Sequence, residues 1–158
     1  MRAISAALLA LACLAGACSS GAATFTVATA SVDPTYWCPG GAVNAPYDLH
    51  ATVSVRNGTS GTVTIMSMTA QMRLAAVQGS WLEKVGDRYD AGSVAFTPST
   101  VGAGLSASLR VVIPSACTSD RYELGGASFG DYAVTLHMVT SVGAFSITAQ
   151  NHHQIRAA

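Results

Sequence analysis

Charged residues are scarce in this sequence, and those present are balanced in sign. Only 10% of the 158 residues are charged, with eight lysines and arginines against eight aspartates and glutamates. No run of basic residues occurs, so the chain lacks the electrostatic footprint that binding to a phosphate backbone requires. The composition therefore argues against a nucleic-acid partner and favours an exported protein whose polar surface is mostly uncharged.

Long apolar runs are also missing, apart from one near the start. Residues 3–17, AISAALLALACLAGA, follow the basic residue Arg2, and this run is shorter than the roughly 20 residues of a membrane-spanning helix. A basic start, a short apolar region and small residues at its end are typical of a secretory signal peptide. We therefore expect residues 1–17 to be a cleaved signal peptide and residues 24–158 to form one domain.

The leader ends in LAGAC, residues 14–18, which resembles the lipobox of bacterial lipoproteins. In that family the cysteine is acylated and becomes the first mature residue. The resemblance implies that Cys18 carries a lipid, that residues 18–23 form a tether, and that the protein is anchored to a membrane of the cell envelope. The sequence AGA at residues 15–17 also fits an ordinary signal-peptidase site, which would give a secreted or periplasmic protein instead.

Cysteines are few, and their number bears on the same question. The chain has four cysteines, of which Cys13 lies in the leader. In an oxidising compartment cysteines usually pair, and an odd one needs an explanation. With Cys18 assigned to the lipid, Cys38 and Cys117 are left to form a disulfide. Such a bond would close a loop of about 80 residues and stabilise the fold by up to roughly 4–5 kcal/mol.

Helical periodicity is missing from most of the chain, and alternation of apolar and polar residues dominates. Four segments alternate in this way: 47–57, 105–113, 132–138 and 145–150. Half-buried strands require this pattern because successive side chains point to opposite faces. Turn sequences lie at residues 57–61, NGTSG, and 141–143, SVG. The pattern predicts an all-β fold, an antiparallel sandwich of about seven strands.

Residues 75–104 are harder to assign. They contain Trp81 and the polar stretch EKVGDRYDAG, and we expect short edge strands and a long loop. The preceding sequence MTAQMRLAAV, residues 68–77, could also form a helical turn, because Met, Ala, Leu and Gln favour helices.

Leu124 and the sequence GDYAVTL at residues 130–136 resemble the tyrosine corner of immunoglobulin-like and fibronectin type III domains. The resemblance implies an immunoglobulin-like β-sandwich in which the hydroxyl of Tyr132 bonds to backbone upstream. Val134 stands where an antibody domain has cysteine, which excludes that subtype. The fold hosts many unrelated functions, so the resemblance assigns none.

The sequence GASFG at residues 126–130 matches the G-x-S-x-G nucleophile elbow, with Ser128 at its centre and Asp131 and His152 following. An elbow needs a helix after the serine, whereas a strand pattern follows here. We therefore predict no catalytic residues, no cofactor and no enzyme activity.

Methionines and histidines provide an alternative function, an exported copper- or zinc-binding protein. The candidate ligands are Met66, Met68, His50, His137 and His152. The simpler interpretation puts Met66, Met68 and Met72 on the core face of one strand, with the histidines on polar faces. His152 and His153 would point apart on a strand, so they cannot chelate one ion together.

The sequence YWCPGG, residues 36–41, places two aromatic residues beside the predicted disulfide. Tyr36 and Trp37 either pack against the disulfide, which we prefer, or contact a partner such as an envelope protein or a glycan. The leading hypothesis is a non-enzymatic, lipid-anchored envelope protein that binds another macromolecule or stabilises an envelope assembly.

Overall fold

The computed structural model describes residues 24–119 and 128–157. The signal peptide, Cys18, the tether, Leu124 and the first two residues of GASFG lie outside the described residues. Within them, no helix is long and apolar enough to cross a membrane. The described residues form eleven strands, of which seven have six residues or more: β1 (Phe25–Val32), β2 (Thr35–Cys38), β3 (Ala45–Asn57), β4 (Val63–Gln78), β5 (Arg88–Ser93), β6 (Ala95–Thr97), β7 (Thr100–Val101), β8 (Ser106–Cys117), β9 (Phe129–Thr140), β10 (Gly143–Thr148) and β11 (His153–Ala157).

The strands form the predicted β-sandwich. One sheet has four strands in the order β1-β3-β8-β6, all antiparallel. The other has the order β2-β11-β9-β4-β5, with β10 paired to β9 and β7 to β4. The short strands β2 and β11 run parallel, which the alternation pattern could not predict.

The core lies between the two sheets and follows the predicted alternation. Each long strand points every second side chain inward, as a half-buried strand must. The large apolar side chains that are fully buried come from β3, β4, β8 and β9: Leu49, Val53, Val55, Val63, Met68, Met72, Leu74, Leu109, Ile113, Leu136 and Met138. Burial of these side chains supplies the main driving force of the fold.

Strand β4 departs from the prediction at Met66. A register shift between Ile65 and Ser67 makes Met66 an extra, bulged residue, and its side chain is 60% exposed whereas Ile65 is buried. A bulge of this kind reverses the alternation on one side of it, so the placement of Met66 in the core was wrong. The helical turn considered for residues 68–77 is also wrong, because β4 extends through Gln78.

The expectation for residues 75–104 is confirmed. The segment contains the end of β4, a loop over residues 79–87 and the short strands β5, β6 and β7. Leu105, predicted on a core face, is instead 60% exposed because β8 begins one residue later. The turn at residues 57–61 joins β3 to β4 and so crosses between the sheets.

The sandwich has two distinct ends. At the end called here the N-terminal end, Phe25 pairs with Asn57, so the chain enters the domain there. At the opposite end, called the disulfide end, Ala45 pairs with Cys117. Strand β3 connects the two ends over 13 residues, a length of about 40 Å for an extended strand.

Candidate binding surface at the disulfide end

The predicted disulfide is present. Cys38 ends β2 in one sheet and Cys117 ends β8 in the other, and their sulfurs are 2.09 Å apart. Both residues are buried. The bond therefore joins the two sheets at one end of the sandwich and does not cross the centre of the core.

Trp37, Arg156 and Phe129 lie side by side on the outer face of the larger sheet, beside the disulfide. Arg156 pairs in register with Trp37 on β2 and with Phe129 on β9. Its guanidinium carbon lies 5.4 Å from the centroid of the Trp37 ring and 5.2 Å from that of Phe129. We call these three residues the aromatic row. Each cation–π contact stabilises such an arrangement by about 0.5–1 kcal/mol at an exposed site.

Trp37 is the exposed member of the row, at 54% of its surface. The preferred interpretation, that Trp37 packs against the disulfide, is therefore wrong. Tyr36 behaves differently, since its half-buried ring stacks on Tyr47 with centroids 3.8 Å apart. Of the two aromatic residues singled out in the sequence, Trp37 is therefore the more exposed to solvent.

Polar side chains flank the aromatic row on the same face. The Oε1 atom of Gln154 accepts a hydrogen bond of 2.6 Å from the Nε of Arg156, which holds the guanidinium in place. Gln154 pairs in register with Asp131, and an Asp131 carboxylate oxygen lies 2.6 Å from Nδ1 of His152. The surface thus combines aromatic rings, one cation and a set of hydrogen-bonding groups.

Behind this surface, the buried side chain of His153 links β11 to the loop between β1 and β2 and to strand β3. Nδ1 of His153 lies 2.7 Å from the carbonyl oxygen of Asp33, and Nε2 lies 2.9 Å from the hydroxyl of Tyr47. A carbonyl oxygen can only accept, so Nδ1 carries a proton, and in the neutral ring Nε2 accepts from the tyrosine hydroxyl.

Burial explains the titration of both partners. Loss of solvent lowers the pKa of His153 below its ordinary value, although the Asp33 carbonyl and the charges of Asp33 and Asp131 oppose this. Loss of solvent likewise raises the pKa of Tyr47 to about 12. Desolvation disfavours the charged form of each group, so the pair is neutral at physiological pH.

A cleft of about 270 Å³ opens at the same end of the sandwich. Its walls are mostly apolar: Ala42, Val43, Trp81, Leu82, Ala116, Ile155 and Ala157. The Trp81 ring lies so close to Gly130 that a Cβ there would be 2.5 Å from the ring. Glycine at position 130 is therefore what allows the loop carrying Trp81 to pack on β9.

Tyr132 does not make the predicted tyrosine-corner bond with any backbone group that the structure describes. Its hydroxyl donates to a carboxylate oxygen of Glu83 and accepts from Nε1 of Trp81 at 3.1 Å, so its partners there are side chains of the 79–87 loop. The backbone just upstream, residues 120–127, lies outside the described residues. Burial, followed by the bond to Glu83, raises the pKa of Tyr132. Tyr132 thus holds the 79–87 loop against strand β9.

The surroundings of Ser128 indicate a structural role. It is buried, and its hydroxyl accepts a 3.1 Å hydrogen bond from the backbone N–H of Ser80. Strand β9 begins at the next residue, so no helix follows the serine as an elbow requires. Asp131 and His152 do meet, but on the outer face of the sheet.

The candidate metal ligands are separated. Met66 is exposed whereas Met68 is buried in the core, and His50 and His137 lie on strands of different sheets. His50 is 3.0 Å from Asp33, and His152 is paired to Asp131. Among the described residues, no three histidines, cysteines or acidic residues gather in a group that could hold a metal ion.

Sequence reasoning missed Arg156, Phe129 and His153. The first two meet Trp37 only through the pairing of β2 with β11 and of β11 with β9, which no local pattern encodes. His153 had one available signal, because it alternates with Ile155 and Ala157, both buried. That alternation would have placed it on the inner face.

No protein-family model and no curated protein matches the chain. Several solved structures resemble it at low identity. A late embryogenesis abundant (LEA) protein is 21% identical, with 84% of this chain and 71% of that chain covered and a TM-score of 0.44. The fimbrial major subunit AggA of Escherichia coli is 11% identical, with 85% and 96% covered and a TM-score of 0.33. The CooA pilin subunit of enterotoxigenic Escherichia coli is 12% identical, with 83% and 98% covered and a TM-score of 0.27. These similarities assign no function.

Proposed function

We propose that this protein is an exported, lipid-anchored and non-enzymatic module that binds a macromolecule of the cell envelope through the aromatic row. The observation that carries the proposal is the exposed ring of Trp37, held beside Arg156 at the end of the sandwich opposite the chain entry. Exposed tryptophans packed beside arginines are typical of the residues that dominate binding energy in interfaces.

Two features support export. The leader has the arrangement of a signal peptide, and the Cys38–Cys117 disulfide is a bond that persists in oxidising compartments. Using these two cysteines in one bond also leaves Cys18 available for the lipid.

The placement of the two ends supports an anchored display. The described chain starts at Thr24, whose carbonyl accepts from Gly58 at the N-terminal end. A tether over residues 18–23 spans at most about 20 Å when extended. A lipid on Cys18 would therefore hold the N-terminal end near the membrane and keep the aromatic row about 40 Å further out, given the length of β3.

The arrangement of Ser128, Asp131 and His152 favours binding over catalysis. The serine hydroxyl is buried and engaged with Ser80, while the Asp131–His152 pair lies on the opposite, outer face of the sheet. Nothing in this arrangement brings a base to a nucleophile, as acyl transfer requires.

Intact mass spectrometry tests the anchor. The chain is expressed with its own leader and recovered from the exported fraction. We expect a mass that starts at Cys18, includes acyl chains and shows one disulfide, and a Cys18→Ser variant without acyl chains. A mass that starts elsewhere and carries no lipid would refute the anchor, though not the binding surface.

Sedimentation tests the binding surface. Envelope polymer is washed with detergent to remove lipid, so that the anchor cannot contribute, and is mixed with the purified protein. We expect the wild-type protein to sediment with the polymer and Trp37→Ala to stay in solution. Met66→Ala is the matched control, since Met66 is also a large apolar residue of the larger sheet and is 60% exposed. Equal sedimentation of all three proteins, or of none, would contradict the proposal.

A further inference from the structure

We infer that the aromatic row is a subsite for an acidic polysaccharide, with Arg156 binding a sugar carboxylate and the two rings packing on the sugars. This inference rests on the proposed function and specifies its ligand. It uses three observations: the unpaired charge of Arg156, the spacing of the rings, and the polar groups that flank them.

Arg156 lacks an acidic partner within residues 24–119 and 128–157. Both ion pairs found there involve histidine, His50 with Asp33 and His152 with Asp131. The Nε of Arg156 donates to Gln154, and the guanidinium carbon lies within 5.4 Å of two ring centroids. A guanidinium has five N–H donors, and no carboxylate among the described residues pairs with the remaining ones. That geometry suits a ligand carboxylate, which accepts two parallel hydrogen bonds from arginine.

The rings provide flat apolar surfaces on both sides of this charge. Trp37 and Phe129 lie two strands apart, on β2 and β9 with β11 between them, a separation of about 10 Å from the usual strand spacing. The C–H face of a pyranose ring is apolar and packs on an aromatic ring with little loss of hydration elsewhere. Alternate sugars of an extended oligosaccharide would therefore cover the two rings, with the carboxylate of the sugar between them above Arg156.

The flanking side chains suit hydroxyl groups. Gln154, Asp131 and His152 form one polar strip next to the row, and each can donate or accept a hydrogen bond to a sugar hydroxyl. A nucleic acid also stacks on aromatic rings, but it needs a basic groove that follows its backbone. Among the described residues, this surface carries a single arginine and no basic groove, and the whole chain has equal numbers of basic and acidic residues.

Titration calorimetry with two matched oligosaccharides tests the inference. One is a linear oligomer of uronic acid, and the other is the same oligomer with its carboxylates reduced to neutral alcohols. The protein is the chain expressed with its own leader and purified in detergent with its disulfide formed. We expect the acidic oligomer to bind about tenfold or more tightly than the neutral one, since charge-assisted bonds to arginine are strong.

Variants separate the two kinds of contact. Arg156→Gln should bind both oligomers equally weakly, because it removes the charge and retains hydrogen-bonding groups. Trp37→Ala should weaken both oligomers by a similar factor, because it removes a stacking surface. Arg110→Gln, an exposed arginine on the other sheet, should bind like the wild-type protein.

The outcomes distinguish this inference from the proposed function. Equal binding of both oligomers, lost in Trp37→Ala, would overturn the role of Arg156 and leave a neutral glycan site. Binding of neither oligomer, together with sedimentation that still depends on Trp37, would overturn the glycan ligand and favour a protein partner. Binding of neither, with sedimentation that does not depend on Trp37, would remove the proposed function as well.

Discussion

The two ends of the sandwich are closed by different means. At the N-terminal end, the side chain of Asn57 is fully buried and donates to the carbonyls of Gly61, Val101 and Gly102 while its oxygen accepts from Thr59. At the disulfide end, the Cys38–Cys117 bond joins the two sheets, and aromatic rings and an open cleft lie beside it. One end is held by the hydrogen bonds of a single buried side chain, the other by a covalent bond between two strands.

This difference bears on the proposed binding surface. At the N-terminal end, hydrogen bonds from one buried asparagine hold the turn that follows β3. The disulfide end fixes its surface covalently and leaves Trp37 exposed. A preorganised surface loses less conformational entropy on binding, which supports the proposed binding surface at the disulfide end.

Removal of the disulfide should have the largest effect on stability. A Cys38→Ser/Cys117→Ser double variant releases a link between residues 79 positions apart. The loop-entropy relation gives a loss of about 4–5 kcal/mol in the free energy of unfolding. Urea denaturation followed by circular dichroism measures it. A loss below about 1 kcal/mol would mean that the aromatic contacts alone hold this end.

Removal of the Asn57 side chain should have the next largest effect on stability. Asn57→Ala leaves buried backbone carbonyls without donors, which we expect to lower the free energy of unfolding by about 2–3 kcal/mol. Ser60→Ala, an exposed position in the same turn, is the control and should change stability little. If both variants unfold alike, the closure of the N-terminal end does not depend on Asn57.

Gly130→Ala sharpens the comparison within the disulfide end. The added methyl group would overlap the Trp81 ring, so we expect a loss of about 1–3 kcal/mol from overpacking and a red shift of tryptophan fluorescence as Trp81 moves into solvent. Gly61→Ala is the matched control at the N-terminal end, because nothing lies within 4 Å of a Cβ there. An unchanged emission maximum would contradict the packing of Trp81 on Gly130.

Acid should weaken the disulfide end through His153. Its pKa is lower in the folded protein than in the unfolded chain, so stability is complete above the unfolded value of about 6.5 and declines as pH falls below it. The slope contributed by one proton is at most about 1.4 kcal/mol per pH unit. His153→Gln should remove this slope between about pH 6.5 and pH 5, and His137→Gln, an exposed position, should retain it. A wild-type stability that is flat over this range would contradict the neutral buried ring.

The smallest effect on stability should come from Trp37→Ala. The ring is 54% exposed and contributes one cation–π contact, so we expect a change below about 1 kcal/mol in the free energy of unfolding. A larger loss, measured by urea denaturation, would assign Trp37 a structural role and weaken the case for recognition.

The fold was largely predictable because its information is local. Alternation over residues 47–57 and 132–138 placed Leu49, Val53, Leu136 and Met138 correctly, since period two is a property of each strand by itself. The position of Met66 was not predictable, because a bulge depends on how β4 pairs with β9. The disulfide followed from the cysteine number together with the leader, which accounts for Cys13 and Cys18.

The candidate site was only partly predictable. Trp37 was named with Tyr36 as a possible contact because of its aromatic type beside a cysteine, although packing against the disulfide was preferred. Arg156 and Phe129 were not, because they reach Trp37 across two strand pairings, one of them parallel. Recognition surfaces of this kind are assembled from distant segments, and a single sequence does not reveal which strands become neighbours.

Photocrosslinking in cells tests the central claim, that the disulfide end faces the envelope partner and the N-terminal end faces the membrane. A benzophenone amino acid is placed at Trp37 in one variant and at Leu105, beside the N-terminal end and also exposed, in another. We predict that the probe at position 37 yields a product linked to envelope polymer and that the probe at position 105 does not. A polymer-linked product from position 105 alone would contradict it.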